Sequence, residues 1–565
     1  MGKRANIALA LGVAGLMAGC SGVPTSGPVV AGNPVRAQEQ PAFAAYNPGG
    51  PPPGADPAVI VNGFVDAMSA YLPGYEVAKE FLTPDAASSW DPSVGVTVHR
   101  GVRPTIEVMD NGQLRMTMTV SGEVGVDGSY TVQDAGTTRE LDLPVRRVDG
   151  EWRISGPPDG IIISEANFER EFESHNVCYF DPSFEVLVRD PVYLPKHGQV
   201  ATLLTQTLLE GPSEWLSPAV RSAFPQTVAL SVPSVPIESG IATVDLTEAA
   251  HETVEMERQH MAAQLACTLA GLSEITKVVM NADGVPLLGQ DEAVDPTVDN
   301  ELYEPDQASI GGALHAVLDG NVVWRPDGVD RFEPVAGPLG VAGDVTEVAV
   351  KAGGERAVAV GADGTELYAA EFDQDAPRTT VFNGTGLTSP AWDRHDVIWA
   401  VNQAGAGGEV IAARPDGSPV AVRGPELDLH DVSSVAISTD GTRMALIVDG
   451  MAYLAVVVRD GDDPAHLSLE EPRRIGPEGT ALDVAWASAE RLVLLVEPDD
   501  QEREVYALDV FGEVRSARGS IPGAVSVAAG PMQRIVAATD EGTLMENDSP
   551  TSWAEIGNGQ APVYP

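Results

Sequence analysis

A chain of 565 residues is long enough for several domains, and its 43% apolar content supports folded cores and excludes a disordered protein. With 82 acidic residues against 34 basic, the formal charge is -48. Such a chain repels phosphate backbones and anionic headgroups, which argues against nucleic-acid binding and against electrostatic adhesion to a membrane.

The N-terminus carries Lys3 and Arg4, then an uncharged apolar run over residues 7–18. This is the three-part pattern of a secretory signal. The run falls short of the roughly 20 apolar residues a spanning helix needs. It ends in Leu16-Met17-Ala18-Gly19-Cys20, which resembles the bacterial lipobox, although Met17 stands where Leu, Val or Ile is usual. The resemblance implies that residues 1–19 are removed as a signal peptide and that the Cys20 thiol is diacylated, with palmitate-type chains holding the protein on the cell membrane. The alternative is an ordinary signal peptide with an incidental cysteine. Residues 20–56 are rich in Pro, Gly, Ser and Ala without apolar periodicity, the composition of an extended tether.

Residues 57–172 read as a small α+β domain. Asp56-Pro57 resembles a helix start, and Ile60, Phe64, Met68 and Tyr71 recur at helical spacing. A second short helix is expected over 75–82, stopped by Thr83-Pro84. Beta-type segments follow at 94–100, 113–124, 139–147 and 151–155, the last behind an Asp149-Gly150 turn. Two helices before a curved sheet resemble the nuclear transport factor-like cone. Trp152 reads as a core residue rather than a ligand platform.

Residues 173–300 open with beta-type segments at 177–180 and 184–189 and a helix near 197–210 that ends at Gly211-Pro212. A strand near 227–232, Ile241-Ala242-Thr243-Val244-Asp245-Leu246, a helix over about 250–271 and a strand at 275–280 complete the unit. The order L-L-E-G-P-S, F-P, A-T-V-D-L, Q-L-A-C-T-L resembles the GerMN domain, which implies a binding and assembly module. Cys178 and Cys267 form an even pair in an oxidising exterior compartment; a disulfide and two separate buried thiols are both open readings. His251-Glu252 suggests a zinc-protease helix, but Glu255 stands where the second histidine belongs, and His260 lies too far along.

Over residues 301–565 short beta-type runs alternate with Gly, Asp and Asn turns. Val348, Pro390, Val435, Val484 and Val525 begin units about 45 residues apart, the spacing of propeller blades. Ser438-Thr439-Asp440-Gly441-Thr442 is a blade-type turn, and Leu314 to Trp324 can supply strands that close the ring. The expected fold is therefore multidomain: α+β N-terminal domains, then an all-β propeller of about five to six blades.

No nucleophile elbow, phosphate loop, dinucleotide fingerprint or EF-hand loop occurs. His315, His395 and His430 could reach a propeller channel but read as turn or surface residues. No catalytic residue, metal ligand or cofactor is expected. The succession of modules, with Cys20-Ser21-Gly22-Val23-Pro24-Thr25-Ser26-Gly27-Pro28, Val61-Asn62-Gly63-Phe64 and Asp190-Pro191-Val192-Tyr193-Leu194-Pro195, resembles the actinobacterial lipoprotein family LpqB. That resemblance implies a non-enzymatic accessory of the MtrA–MtrB two-component system on the extracytoplasmic face. It implies contact with the outer domain of the sensor kinase MtrB and influence on cell wall and division. A second reading is a cell-envelope glycan-binding protein or enzyme that uses the propeller channel, with Trp392, Trp399 or Trp486 meeting a carbohydrate. Against it, these tryptophans sit on strand patterns and should pack mostly between blades.

Overall fold

The computed structural model describes residues 48–565 apart from 71–72, 110–112, 135, 290–292, 295–302, 306–311, 327, 405–406, 425–430, 460–465, 500–501, 512–513 and 531–533. Cys20, the lipobox and most of the tether lie outside the described residues, as do Tyr71 and His430.

Helix α1, Pro57–Met68, buries Ile60, Val61, Phe64 and Met68 against a mixed sheet. The sheet is built from β1 (Val96–His99), β2 (Thr105–Val108), β3 (Leu114–Val124), β4 (Tyr130–Val132), β5 (Thr138–Leu143) and, beyond the β6–β7 hairpin (Val145–Val148, Glu151–Ile154), β8 (Ile161–Ser164). The inward residues of β3 are Leu114, Met116, Met118 and Val120, the period of two expected of a sheet with one covered face. Thr83-Pro84 does not end a helix as expected; it begins one. After the short α2 (Glu76–Lys79), α3 spans Pro84–Ser89, with Thr83 Oγ1 accepting from Ala86 N at 3.4 Å. Proline at the first helical position lacks only an N–H that would have been unpaired there.

Helix α4 (Glu165–Glu171) leads into a long hairpin, β9 (Phe172–Phe180) and β10 (Leu187–Pro195). The hairpin serves two cores. Phe172 and Tyr193 pack with the N-terminal sheet, whereas Val177, Tyr179, Val188 and Val192 pack with the middle domain. There α5 (Val200–Glu210) and α6 (Glu255–Leu269) cover a sheet of β11 (Ile237–Glu238), β12 (Ile241–Leu246), β13 (Lys277–Ala282) and β14 (Val285–Pro286). Two expectations are corrected. Residues 227–232 make only an isolated bridge, Leu230 with Leu246. The long helix starts at Glu255, because Thr253 is extended and Glu257 caps the Val254 N–H at 2.9 Å. His251 therefore sits on a separate 3-10 turn and shares no helix face with Glu255. Cys178 on β9 and Cys267 on α6 are joined by a disulfide, with Cα atoms 5.9 Å apart.

The C-terminal region is a propeller of six four-stranded blades. Blade one is closed by the end of the chain: Gln560–Val563 pairs beside His315–Leu318 as its innermost strand. The inner strands of blades two to six are Val345–Val350, Thr388–Trp392, Val432–Ile437, Thr480–Ser488 and Ala524–Gly530. Each second strand is almost wholly buried, as in Arg443–Val448 and Arg491–Glu497, since neighbouring blades cover both faces. Residues 48–565 form one compact unit. A single apolar cluster runs from Val177, Leu204 and Leu216 of the middle domain into Ile447, Leu454 and Trp486 of blades four and five. Phe511 of blade five packs on Tyr130 and Tyr193 of the N-terminal side. Among the described residues, no helix is long and apolar enough to cross a membrane.

The disulfide closes a loop across a separation of 89 residues. Chain entropy gives such a crosslink about 4 kcal/mol of stabilisation. Replacing Cys178 and Cys267 together by Ala is expected to lower the melting temperature of the middle domain by several degrees. Reductant should reproduce the shift in the natural chain and leave the double variant unchanged, in a calorimetric scan.

Candidate functional site

The inner strands share one irregularity. In blades two to six the ladder slips between Val345 and Glu347, Thr388 and Ala391, Val432 and Ser434, Ala481 and Asp483, and Ala524 and Ser526. A bulge adds one residue, kinks the strand and re-aims the side chain beside it. Here it sets one polar residue per blade, Glu347, Ser389, Ser434, Asp483 and Ser526, on the channel wall.

These residues are bonded around the ring from blade to blade. Thr388 Oγ1 and Ser389 N donate to the Glu347 carboxylate, both at 2.6 Å. Ser389 Oγ donates to Val435 O at 3.0 Å and accepts from Val435 N at 2.8 Å. Ser434 Oγ donates to Asp483 Oδ1 at 3.0 Å, and Val527 N to Asp483 Oδ2 at 2.8 Å. The chain then stops: among the described residues the buried Ser526 Oγ has no partner. The next position is Ala561 of blade one, which corresponds to Ser389. Both have left-handed backbone, φ 47° and 51°, and both precede a proline, Pro562 and Pro390. Ala561 has no side-chain polar atom, and Pro562, at the place of the Val435 and Val527 N–H donors, has no N–H, so the ring is broken at the seam.

Removal from bulk water raises both carboxyls. Asp483 is pushed up to about 6, chiefly by burial, with the Glu347 charge adding to it. Glu347 is raised by burial, and its two donors offset only part of that. The channel encloses about 1090 Å³. Trp392 lines it; Trp486 reaches it but is 9% exposed and packs in the core between blades, and Trp399 is fully buried. At one mouth stand Glu185, Val186, Glu304 and Pro305, supplied by the middle domain and the segment after it. The cations at that mouth are already paired: Arg394 with Asp181 (3.4 Å) and Glu185 (3.5 Å), and Lys351 with Asp396.

Next to the mouth a set of buried charges ties the middle domain to the propeller. Asp440 accepts from Ser438 Oγ (2.6 Å), Thr442 N (2.8 Å), Thr442 Oγ1 (2.7 Å) and Arg443 Nη1 (3.1 Å). Arg443, only 1% exposed, donates its other terminal nitrogen to the carbonyl of Arg189 on β10 at 2.6 Å. Blade three repeats the device. Asp393 accepts from His395 N, Val397 N, Trp399 Nε1 and, at 2.6 Å, Arg459 Nη2. Gly441 at φ 73° completes the turn, where a Cβ would meet the His395 ring at 3.2 Å. Further out, Arg473 lies over Trp215 at 4.7 Å, and Arg474 pairs with Asp134 of the N-terminal domain at 2.9 Å.

The expected site residues scatter. His315 is buried, its Nδ1 2.9 Å from Ala313 O, and burial holds it down to about 4. His395 is likewise lowered to about 4, by burial first and then by Arg459. His260 packs among Phe180, Phe184 and Tyr303. Trp152 is half-buried on the N-terminal core, with Arg147 over its ring at 4.8 Å. Among the described residues, no three His, Cys, Asp or Glu come together to hold a metal ion. Sequence reasoning read Asp440 only as part of a turn and passed over Asp393. The signal for both was an Asp at the end of the inner strand in successive blades, with Arg443 or Arg459 downstream.

Three docked modules, one of them a propeller with a ring-lined channel, define a multimodule propeller protein. Comparison with known proteins recovers the same three modules. Residues 50–169 match the family described as "Lipoprotein LpqB, N-terminal domain", 176–288 "Sporulation and spore germination", and 321–565 "Lipoprotein LpqB beta-propeller domain". The chain is 30% identical over 605 residues to Lipoprotein LpqB of Streptomyces avermitilis, covering 97% of this chain and 96% of the relative. It is 29% identical over 616 residues to that of Thermobifida fusca, covering 97% of each. Among solved structures it is similar to TolB from Acinetobacter baumannii, at 13% identity and a TM-score of 0.35, over 53% of this chain and 85% of that one. The chain belongs to the lipoprotein LpqB family, which is named for a lipoprotein and not for a reaction.

Two outcomes are expected. Arg443→Ala leaves the buried Asp440 without its cation and should cost about 3–5 kcal/mol; a calorimetric scan should show a lower transition, with the middle domain and propeller melting apart. For Asp483 the folded pKa lies above the unfolded one, so the stability it contributes is lost as pH rises through about 6. Asp483→Asn should therefore melt with the natural chain only below about pH 4, and up to about 3 kcal/mol more stably near about pH 8.

Proposed function

We infer that this protein is a lipid-anchored, extracytoplasmic accessory of a membrane sensor kinase, MtrB of the MtrA–MtrB system, acting on cell wall and division without catalysing a reaction. The observation that carries this reading is the match to lipoprotein LpqB relatives over nearly the whole chain, all three modules included. The acidic surface supports it too: a charge of -48 keeps the body off anionic headgroups, so the Cys20 lipid and the tether are left to hold it near the membrane. Tethering raises the effective concentration of the docked modules around a membrane partner without any new contact. The interlocked domains suit a binding surface that spans more than one module.

The test is capture of the MtrB outer domain by the purified protein, together with kinase output in cells. Binding is expected, and Cys20→Ala is expected to keep the fold while losing the signalling effect. Absence of binding, with normal signalling in a deletion strain, would refute the reading. Full complementation by the unlipidated form would refute the part given to the anchor.

A further inference from the structure

Glu347 and Asp483 differ from the other buried acids of the propeller. Asp440 has Arg443, and Asp393 has Arg459. Glu347 and Asp483 are held only by hydroxyls and backbone N–H groups, and no cation of the described residues pairs with either. They stand on blades two and five of six, so they face each other across the channel axis. The two cations at the mouth, Lys351 and Arg394, are occupied by Asp396, Asp181 and Glu185. The channel therefore holds two carboxyls without a counter-ion in a partly dehydrated space, where a cation would favour their ionised form more strongly than in bulk water.

Three further features define what fits. A volume of about 1090 Å³ suits an organic molecule and far exceeds a bare ion. Carboxylates on opposite walls do not converge as a calcium or magnesium shell requires, with oxygens within about 2.6 Å of one ion. Trp392 lines the wall as well, with the Lys351 ammonium 5.8 Å over its ring, which shows that this surface takes a cation. Among the described residues the Ser526 hydroxyl at the seam has no hydrogen-bond partner, and its oxygen is closed off from solvent.

We propose that the propeller channel is a binding site for a small organic cation carrying a primary ammonium group, seated on the axis between Glu347 and Asp483. The site is independent of the kinase reading and would stand if that reading failed.

The test is isothermal titration calorimetry of the full chain in lipid nanodiscs with cadaverine, with pentane-1,5-diol as its uncharged counterpart and with calcium chloride. Cadaverine is expected to bind at one site, roughly tenfold or more tighter than the diol. Asp483→Asn and Glu347→Gln should each weaken it by about tenfold. Ser433→Arg puts a guanidinium on an exposed position of the channel wall; it should abolish binding and leave the melting temperature unchanged, so the site is testable even if a ring variant fails to fold. Equal heats for cadaverine and the diol, no heat from the folded natural chain, or binding untouched by Ser433→Arg would overturn the proposal. Calcium binding that Asp483→Asn and Ser433→Arg abolish, with no heat from cadaverine, would overturn it in favour of a metal site.

Discussion

A guanidinium with almost no access to water holds this molecule together. Arg443 sits between the Asp440 carboxylate of its own blade and the Arg189 carbonyl of the middle domain. Removing a charge from water costs several kcal/mol, and that cost is offset only when every lone pair and proton finds a partner. Asp440 meets the condition with donors from Ser438, Thr442 and Arg443, while Arg443 meets it at its two terminal nitrogens and leaves its buried Nε without a partner among the described residues. The consequence is orientational. A purely apolar contact between β10 and blade four could slide, whereas a guanidinium aimed at one carbonyl fixes the middle domain over one mouth of the channel. The position of Glu185 and Glu304 at that mouth follows from it.

The channel wall is a second constraint of the same kind. A propeller needs small apolar inner strands to close its ring, and the alanines and valines at 348–350, 435–437 and 527–529 serve that need. Polar groups enter these strands at the bulges, and those of blades two to five are answered by the next blade. Closure of the ring by the last strand puts Ala561 where the pattern asks for a hydroxyl. The gap in the ring is thus a product of topology. The same ring carries two acids without a counter-charge, so the most polar part of the propeller interior is also the least neutralised.

The charge of the chain acts at longer range. Its excess of acids is spread over surface and turns, where water and salt screen it, and it leaves the apolar cores intact. It bears on where the body can sit: clear of an anionic bilayer, and drawn to partners that present positive charge.

Several properties were determined by local sequence. Helical spacing of Ile60, Phe64 and Met68 and the blade repeat from Val348 to Val525 are set by the period at which side chains meet a core, so they are legible without coordinates. The Pro84 helix start and the break at Thr253 were misread, because proline and threonine serve both ends of helices and only backbone direction decides between them. Blade count, ring seam and domain docking were decided by tertiary structure. His315 and His395, attractive as sequence, proved to be buried ring nitrogens held neutral by their surroundings. Glu347, Ser434 and Asp483 are unremarkable in a chain so rich in acids and small polar residues. They become a site only because bulges turn them onto one wall and six blades bring residues more than a hundred positions apart to face each other. Facing across an axis is a relation between strands distant in sequence, and no local pattern records it.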